Sequence, residues 1–187
     1  MALPVTFVAG DVLEAAQLNS NFTYLEGAGG LTLIKTETIG TTVASVTVTD
    51  AFSATYENYK ILVSGGASSA SNENFSIKLG ASTTGYNYQF IYGSYGASVS
   101  GAGASNAASF VYAGSQESTN GLIGNIELQN PFLAKYTGIQ AQISRSGLGG
   151  TCTGLHAVAT SYTSFVLTAG SGTLTGGTIY VYGYKKA

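Results

Sequence analysis

The stretch LIGNIELQ, residues 122–129, alternates with a period of two. Leu122, Gly124, Ile126 and Leu128 fall on one side, and Ile123, Asn125, Glu127 and Gln129 on the other. A little further on, IQAQIS at 139–144 repeats the scheme, with Ile139, Ala141 and Ile143 set against Gln140, Gln142 and Ser144. A dry side and a wet side on successive segments predict antiparallel strands with one face on a core and one in water.

Outward from this pair the same period recurs in SVTVT, YKILV, NFSIKL, YNYQFIY, LHAVA and IYVYGY. Turn-rich pieces separate them, among them SGGASSASNE, LGASTTG and SGLGG. The longest, GSYGASVSGAGASNAAS at 93–109, reads as a polar, low-complexity loop. Both prolines, Pro4 and Pro131, stand outside the expected central strands, as ladder hydrogen bonding requires. Many short strands at this spacing predict a mainly β chain, an antiparallel β-sandwich of jelly-roll type.

One segment breaks the pattern. In GDVLEAAQLNSNFTYLEGAGG, residues 10–30, Asp11 followed by Glu14 resembles a capping box. Ala15, Leu18, Phe22 and Leu25 then make a narrow apolar stripe that ends in GAGG. A helix this short is marginal alone in water, so its stripe needs a cover. That cover is its own domain, symmetry mates in a short bundle, or a larger assembly. The expected division is therefore an N-terminal arm and connector helix over 1–30 and a β domain over 31–187.

Of the 187 residues 44% are hydrophobic and only 9% charged, with 26 glycines. An average soluble domain carries about 25% charge, so hydroxyls and amides must keep this surface wet. Seven basic residues against nine acidic ones give a net charge of −2, which supplies no phosphate-binding footprint and argues against nucleic acid. No run approaches the roughly 18 apolar residues of a membrane span, and MALPVTFVAG lacks the basic start and apolar core of a secretion leader. The sequence thus predicts neither membrane nor nucleic acid as a partner. A single cysteine, Cys152, cannot build an internal disulfide, and the sequons at Asn21 and Asn74 read as chance matches.

The catalytic inventory is thin. The one histidine, His156, alternates with Leu155 and Ala157 and is expected on the wet face of a strand. The only aspartates are Asp11 and Asp50, and no G-x-S-x-G is present. Glu73 and Glu117 lie in polar segments that could contribute to a calcium site, and Glu57 and Glu127 are the isolated acids a glycosidase would draw on. The glycines match no phosphate cradle. The expectation is a protein without catalytic residues, metal or cofactor.

Thirteen tyrosines and no tryptophan are a marked bias. Tyr180, Tyr182 and Tyr184 share one strand face opposite Ile179 and Val181, a ladder suited to a subunit interface or to stacking on sugar rings. Tyr86, Tyr88, Tyr92 and Tyr95 run into the polar loop and are the expected ligand contacts.

The order LTLIKTETI, SVTVT, YKILVSGGASS, IKLG and YNY, then NPFLAKYTG, then SFVLTAGSGTLTGGTIYVYGYKKA, resembles the jelly-roll modules of tailed-phage virion surface proteins. Those modules open on a tYk.L.l..s motif, echoed by Tyr59, Lys60, Ile61, Leu62 and Val63. They close on f..Gs...lYGikk, echoed by Gly172, Gly176, Gly177, Tyr180, Tyr182, Gly183, Tyr184 and Lys185. The opening FVAGDVLEAAQLNSNF is similar to the N-terminal segment of phage fibre and head-appendage proteins. The chain departs from the family pattern in YVYGY, where a leucine often precedes the Tyr-Gly pair, and in the stretch 93–109, which has no counterpart.

The resemblance implies a homotrimeric structural protein of the virion, a fibre or decoration protein. Its N-terminus would attach to capsid, tail or baseplate, and its β domain would project towards host surface polysaccharide. Two other classes stay open: a stand-alone carbohydrate-binding β-sandwich, and a polysaccharide depolymerase built from scattered acids.

Overall fold

A computed structural model describes residues 3–12, 14–27 and 30–185, without the side chains of 25–27. It is a mainly β chain, a curled antiparallel sandwich of jelly-roll type preceded by one short helix. The helix α1 spans Ala15–Gly27. The strands are β1 (Leu31–Thr38), β2 (Ser45–Val48), β3 (Asn58–Gly65), β4 (Ala67–Ser68), β5 (Glu73–Leu79), β6 (Tyr86–Ser94) and β7 (Val99–Ala107). They continue with β8 (Phe110–Glu117), β9 (Gly121–Gln129), β10 (Thr137–Arg145), β11 (Leu148–His156), β12 (Phe165–Thr168), β13 (Leu174–Thr175) and β14 (Thr178–Tyr184).

The front layer runs β1-β14-β3-β9-β10-β11-β6-β7, each neighbour antiparallel. The back layer runs β2-β12-β5-β8. The two are one continuous sheet, because the end of β8 pairs with the start of β9 at Ser115–Ile123, Gln116–Leu122 and Glu117–Gly121. Beyond that hinge β8 folds back over β10. The core lies between the layers. Ile61, Ile126, Leu128, Ile139, Ala141, Ile143 and Val181 face Phe75, Ile77, Leu79, Phe110, Phe165 and Leu167, all buried.

The alternation expected at 122–129 and 139–144 is the one observed, with the apolar set inward on both strands. At the top of the sandwich the turn after β3 meets the turn before β14 backbone to backbone. A Cβ on Gly66, at φ +64°, would lie 2.2 Å from the Gly176 carbonyl oxygen, so only glycine fits.

Three expectations are corrected. The stretch 93–109 is not a loop: its larger part is β7, an edge strand paired along β6. SGLGG is not only a turn, since β11 starts at Leu148 and consumes its last residues. The helix does not start on Asp11. The Asp11 carboxylate accepts the Val8 N–H at 3.0 Å and closes a local turn, while Glu14 supplies the carbonyl that receives the Leu18 N–H at 3.1 Å. The helix begins at Ala15, four residues on, too far along the chain for the Asp11 side chain to serve as its N-cap.

Candidate functional site

The outward face of the front layer carries the polar half of the alternation across neighbouring strands. Tyr182 on β14, Lys60 on β3, Glu127 on β9, Gln140 on β10, Thr153 on β11 and Gln89 on β6 stand in one cross-strand row. The next row holds Tyr180, Leu62, Asn125, Gln142, Thr151 and Ile91. Glu127 organises the first row. Its Oε1 pairs with Lys60 Nζ at 2.8 Å, and its Oε2 accepts the Tyr184 hydroxyl at 2.7 Å. That carboxylate holds the Tyr184 phenol protonated, its pKa pushed up to about 12. With both oxygens engaged, Glu127 serves as a cross-strand tie. In the second row Asn125 Nδ2 donates to Gln142 Oε1 at 2.8 Å, while Asn125 Oδ1 is buried with no donor.

Between the rows and the turn after β6 the face is concave. Tyr95, Ile123, Ser144, Gly149, Asn125, Gln142 and Thr151 border a trough of about 510 Å³. It continues into a polar end at Lys60, Glu127 and Gln140 and into a mouth at Glu117, Asn120 and Arg145. At the mouth Glu117 accepts the Ser146 N–H at 2.9 Å and the Asn120 amide at 3.3 Å, and Arg145 donates to the Asn72 carbonyl.

The tyrosine ladder is placed as read: Tyr180, Tyr182 and Tyr184 are half-buried on the outer face, with Ile179 and Val181 inward. Beside Tyr182 and Tyr184 on the edge strand β1 stand Leu33 and Leu31, both exposed. The four tyrosines expected to meet a ligand do not come together on a surface. Tyr86 and Tyr88 are core residues, and Tyr92 is half-buried beside Phe90, ring centroids 4.8 Å apart. Only Tyr95, 65% exposed, remains available. Tyr86 can be buried because its hydroxyl oxygen accepts the Leu79 N–H at 2.7 Å.

The helix stripe is uncovered. Leu18 is 37% and Phe22 54% exposed, and Ala15 is exposed beside them. The side chain of Leu25, the fourth member, lies outside the described residues. The helix is tied to the arm before it by a polar contact, Asn21 exchanging hydrogen bonds with the Val5 N–H and carbonyl at 3.0 and 2.9 Å. No strand packs substantially against it.

His156 is corrected too. It is fully buried, its Nε2 2.8 Å from the Tyr162 hydroxyl and its ring stacked on Tyr86 at 4.1 Å. Cys152 points inward on β11, so the even positions do, and Leu155 faces out. Desolvation lowers the imidazole pKa below its usual value. A base with a depressed folded pKa binds more protons when unfolded. Its stabilising effect is therefore complete above the ordinary pKa of about 6.5 and is lost as the pH falls below it. Urea midpoints should drop between pH 7 and 5, with a shallower drop in His156→Gln. Equal slopes would show that His156 does not carry the effect.

Among the described residues no three of His, Cys, Asp and Glu gather closely enough to hold a metal ion, and no helix is long and apolar enough to cross a membrane. Cys152 is buried, and desolvation pushes its thiol up to about 12, which leaves it unreactive near neutral pH. No family model, characterised protein or solved structure matches this chain.

Proposed function

We propose that this chain is a non-enzymatic structural subunit of a tailed-phage virion, a homotrimeric surface appendage whose arm and helix attach it to the particle while the β domain projects. The observation that carries this reading is the helix: an apolar stripe at Ala15, Leu18 and Phe22 that its own domain leaves uncovered. Such a stripe needs partner side chains to persist. The residues shared with phage surface modules in YKILV and at the C-terminal end, and the charge content of 9%, support a component assembled through neutral interfaces.

Sedimentation of the full chain at micromolar concentration should give a trimer, and an antibody against it should decorate tailed particles. A stable monomer that leaves particles unlabelled would overturn the proposal.

The tyrosine ladder offers a second measurement. Tyr182 lies directly across from Lys60, so a lysine there would add a like-charge pair to any interface effect. Tyr180 lies between Thr36 and Leu62 and is the cleaner position. Tyr180→Lys should dissociate the oligomer while shifting the melting of the β domain by at most a few degrees. An intact oligomer would place the interface elsewhere.

A further inference from the structure

We infer that β7 is a self-pairing edge: in two copies of this chain the β7 strands lie antiparallel, edge to edge, and join the two front layers into one continuous sheet. This contact is separate from attachment to a particle and does not depend on it.

The first support is the open edge. Among the described residues β7 pairs with β6 alone and ends the front layer. From Val99 to Ala104 its register with β6 is unbroken, and the irregularity comes only beyond, where Asn106 sits at φ 55°. A strand in that position turns a row of backbone N–H and C=O groups outward, a row that proteins usually guard with charge, proline or brevity. The other two edges of the large sheet are guarded. β1 carries Lys35 and Glu37 and a register shift between Leu33 and Lys35, and β2 is four residues long. At β7 there is no guard, for no charged residue and no proline occurs from Ser94 to Gln116.

The second support is that the strand complements itself. Ser100-Gly101-Ala102-Gly103-Ala104-Ser105 has serine at both ends and alternating glycine and alanine between them. Gly101 and Gly103 are exposed on one face, and Ala102 and Ala104 are half-buried on the other. With a two-fold axis through Ala102, Gly101 stands opposite the partner's Gly103 and Ala102 opposite the partner's Ala102. No large side chains collide and no like charges face each other, the two conditions that pairing a strand with its own copy imposes. A charged foreign strand would find no counter-charge along this edge, which favours a second copy of the chain.

The third support is the overhang behind the edge. In the back layer β8 lies over β10, and no back-layer strand packs substantially against β7. Ala102, Ala104, Tyr92 and Tyr112 are left half-buried on the inner side. A two-fold axis normal to the sheet keeps both inner faces on one side. Pairing therefore sets the two overhangs next to each other and continues the apolar strip across the joint. An edge of this length buries well under the about 800 Å² per partner of a standard interface, so the association is weak and depends on concentration.

The test is sedimentation velocity of the full chain carrying Leu18→Ser and Phe22→Ser, so that the helix stripe contributes nothing. Concentrations run from roughly 10 to 500 µM, the range suited to so small an interface. The sedimentation coefficient is expected to rise towards that of a dimer. Gly101→Lys and Gly101→Glu in the same background should each self-associate roughly tenfold more weakly, because like charges then lie diagonally across the joint. An equimolar mixture of the two should recover association. Gly101 is exposed, and a Cβ there meets nothing closer than the Phe90 carbonyl oxygen at 3.8 Å, so circular dichroism and melting should stay unchanged. A concentration-independent monomer in the parent, a Gly101→Lys chain that associates like the parent, or a mixture that stays monomeric would overturn the inference. The chain with Leu18 and Phe22 intact is run beside these samples. A trimer that forms there whatever residue stands at 101 leaves the assembly reading intact, so a failed edge and a failed assembly reading are told apart.

Discussion

Leu18→Ser combined with Phe22→Ser should abolish trimerisation and incorporation into particles while leaving the β domain folded. In the single chain these side chains are 37% and 54% exposed and touch no strand substantially. The domain from Leu31 onward therefore gains nothing from them. A fully exposed Leu or Phe gains about 1.5–3 kcal/mol on burial, so covering the part of each still exposed is worth about 0.5–1.5 kcal/mol, and a threefold assembly loses that sum in every subunit. A helix of 13 residues has little intrinsic stability with which to compensate. The expected readout is a monomer by mass photometry with an unchanged β-type circular dichroism spectrum and melting temperature. If the double variant instead melts the β domain, the helix belongs to that domain's core and the attachment reading falls.

Phe75→Ala should come close to unfolding the β domain. Phe75 is fully buried on β5, directly opposite Gly114 on β8. A Cβ on Gly114 would lie 2.1 Å from the far end of the Phe75 ring, and one on Gly124 of β9 would lie 2.7 Å from the same atom. The ring thus spans the seam where the back layer turns into the front layer, and two glycines clear the space it fills. Truncation leaves a cavity that neither glycine can close, so the loss should sit at about 3–5 kcal/mol. Total stabilities are typically about 5–15 kcal/mol. The melting temperature should fall by roughly 10 °C or more, and Gly114→Ala, which pushes on the same ring, should be destabilising as well. A shift of only one or two degrees in Phe75→Ala would mean that the seam is held by something other than this ring.

What was legible in the sequence was legible because of strict periodicity. Residues 122–129 and 139–144 alternate without interruption, and a strand with one buried face can satisfy such a pattern in only one parity. The helix and its stripe were readable for the same reason at a different period, and so was the tyrosine ladder opposite Ile179 and Val181.

The misreadings occur where local pattern is silent or double. β7, with its run of Gly, Ala and Ser, has few large side chains to alternate, and what makes it a strand is its backbone ladder to β6. At LHAVA either parity puts an apolar residue inside. The decision for His156 came from its neighbours, Thr137 on β10 and Tyr86 on β6, which carry it inward. Tyr86 and Tyr88 looked like surface tyrosines because their segment runs into the stretch 93–109 that reads as a polar loop. The Leu79 N–H that makes Tyr86 affordable is supplied by another strand.

The trough is the extreme case. Tyr95, Ile123, Asn125, Gln142, Gly149 and Thr151 come from β9, β10, β11 and the turn after β6. Their spacing along the chain carries no signal of proximity. Strand order alone brings them together, because cross-strand register decides which side chains meet on a sheet. The sequence by itself determined the period of the regularly alternating strands and the existence of a helix with one apolar stripe. Only the tertiary structure decided which tyrosines are inside, which way the histidine points, and that the wet face of the sheet is hollow.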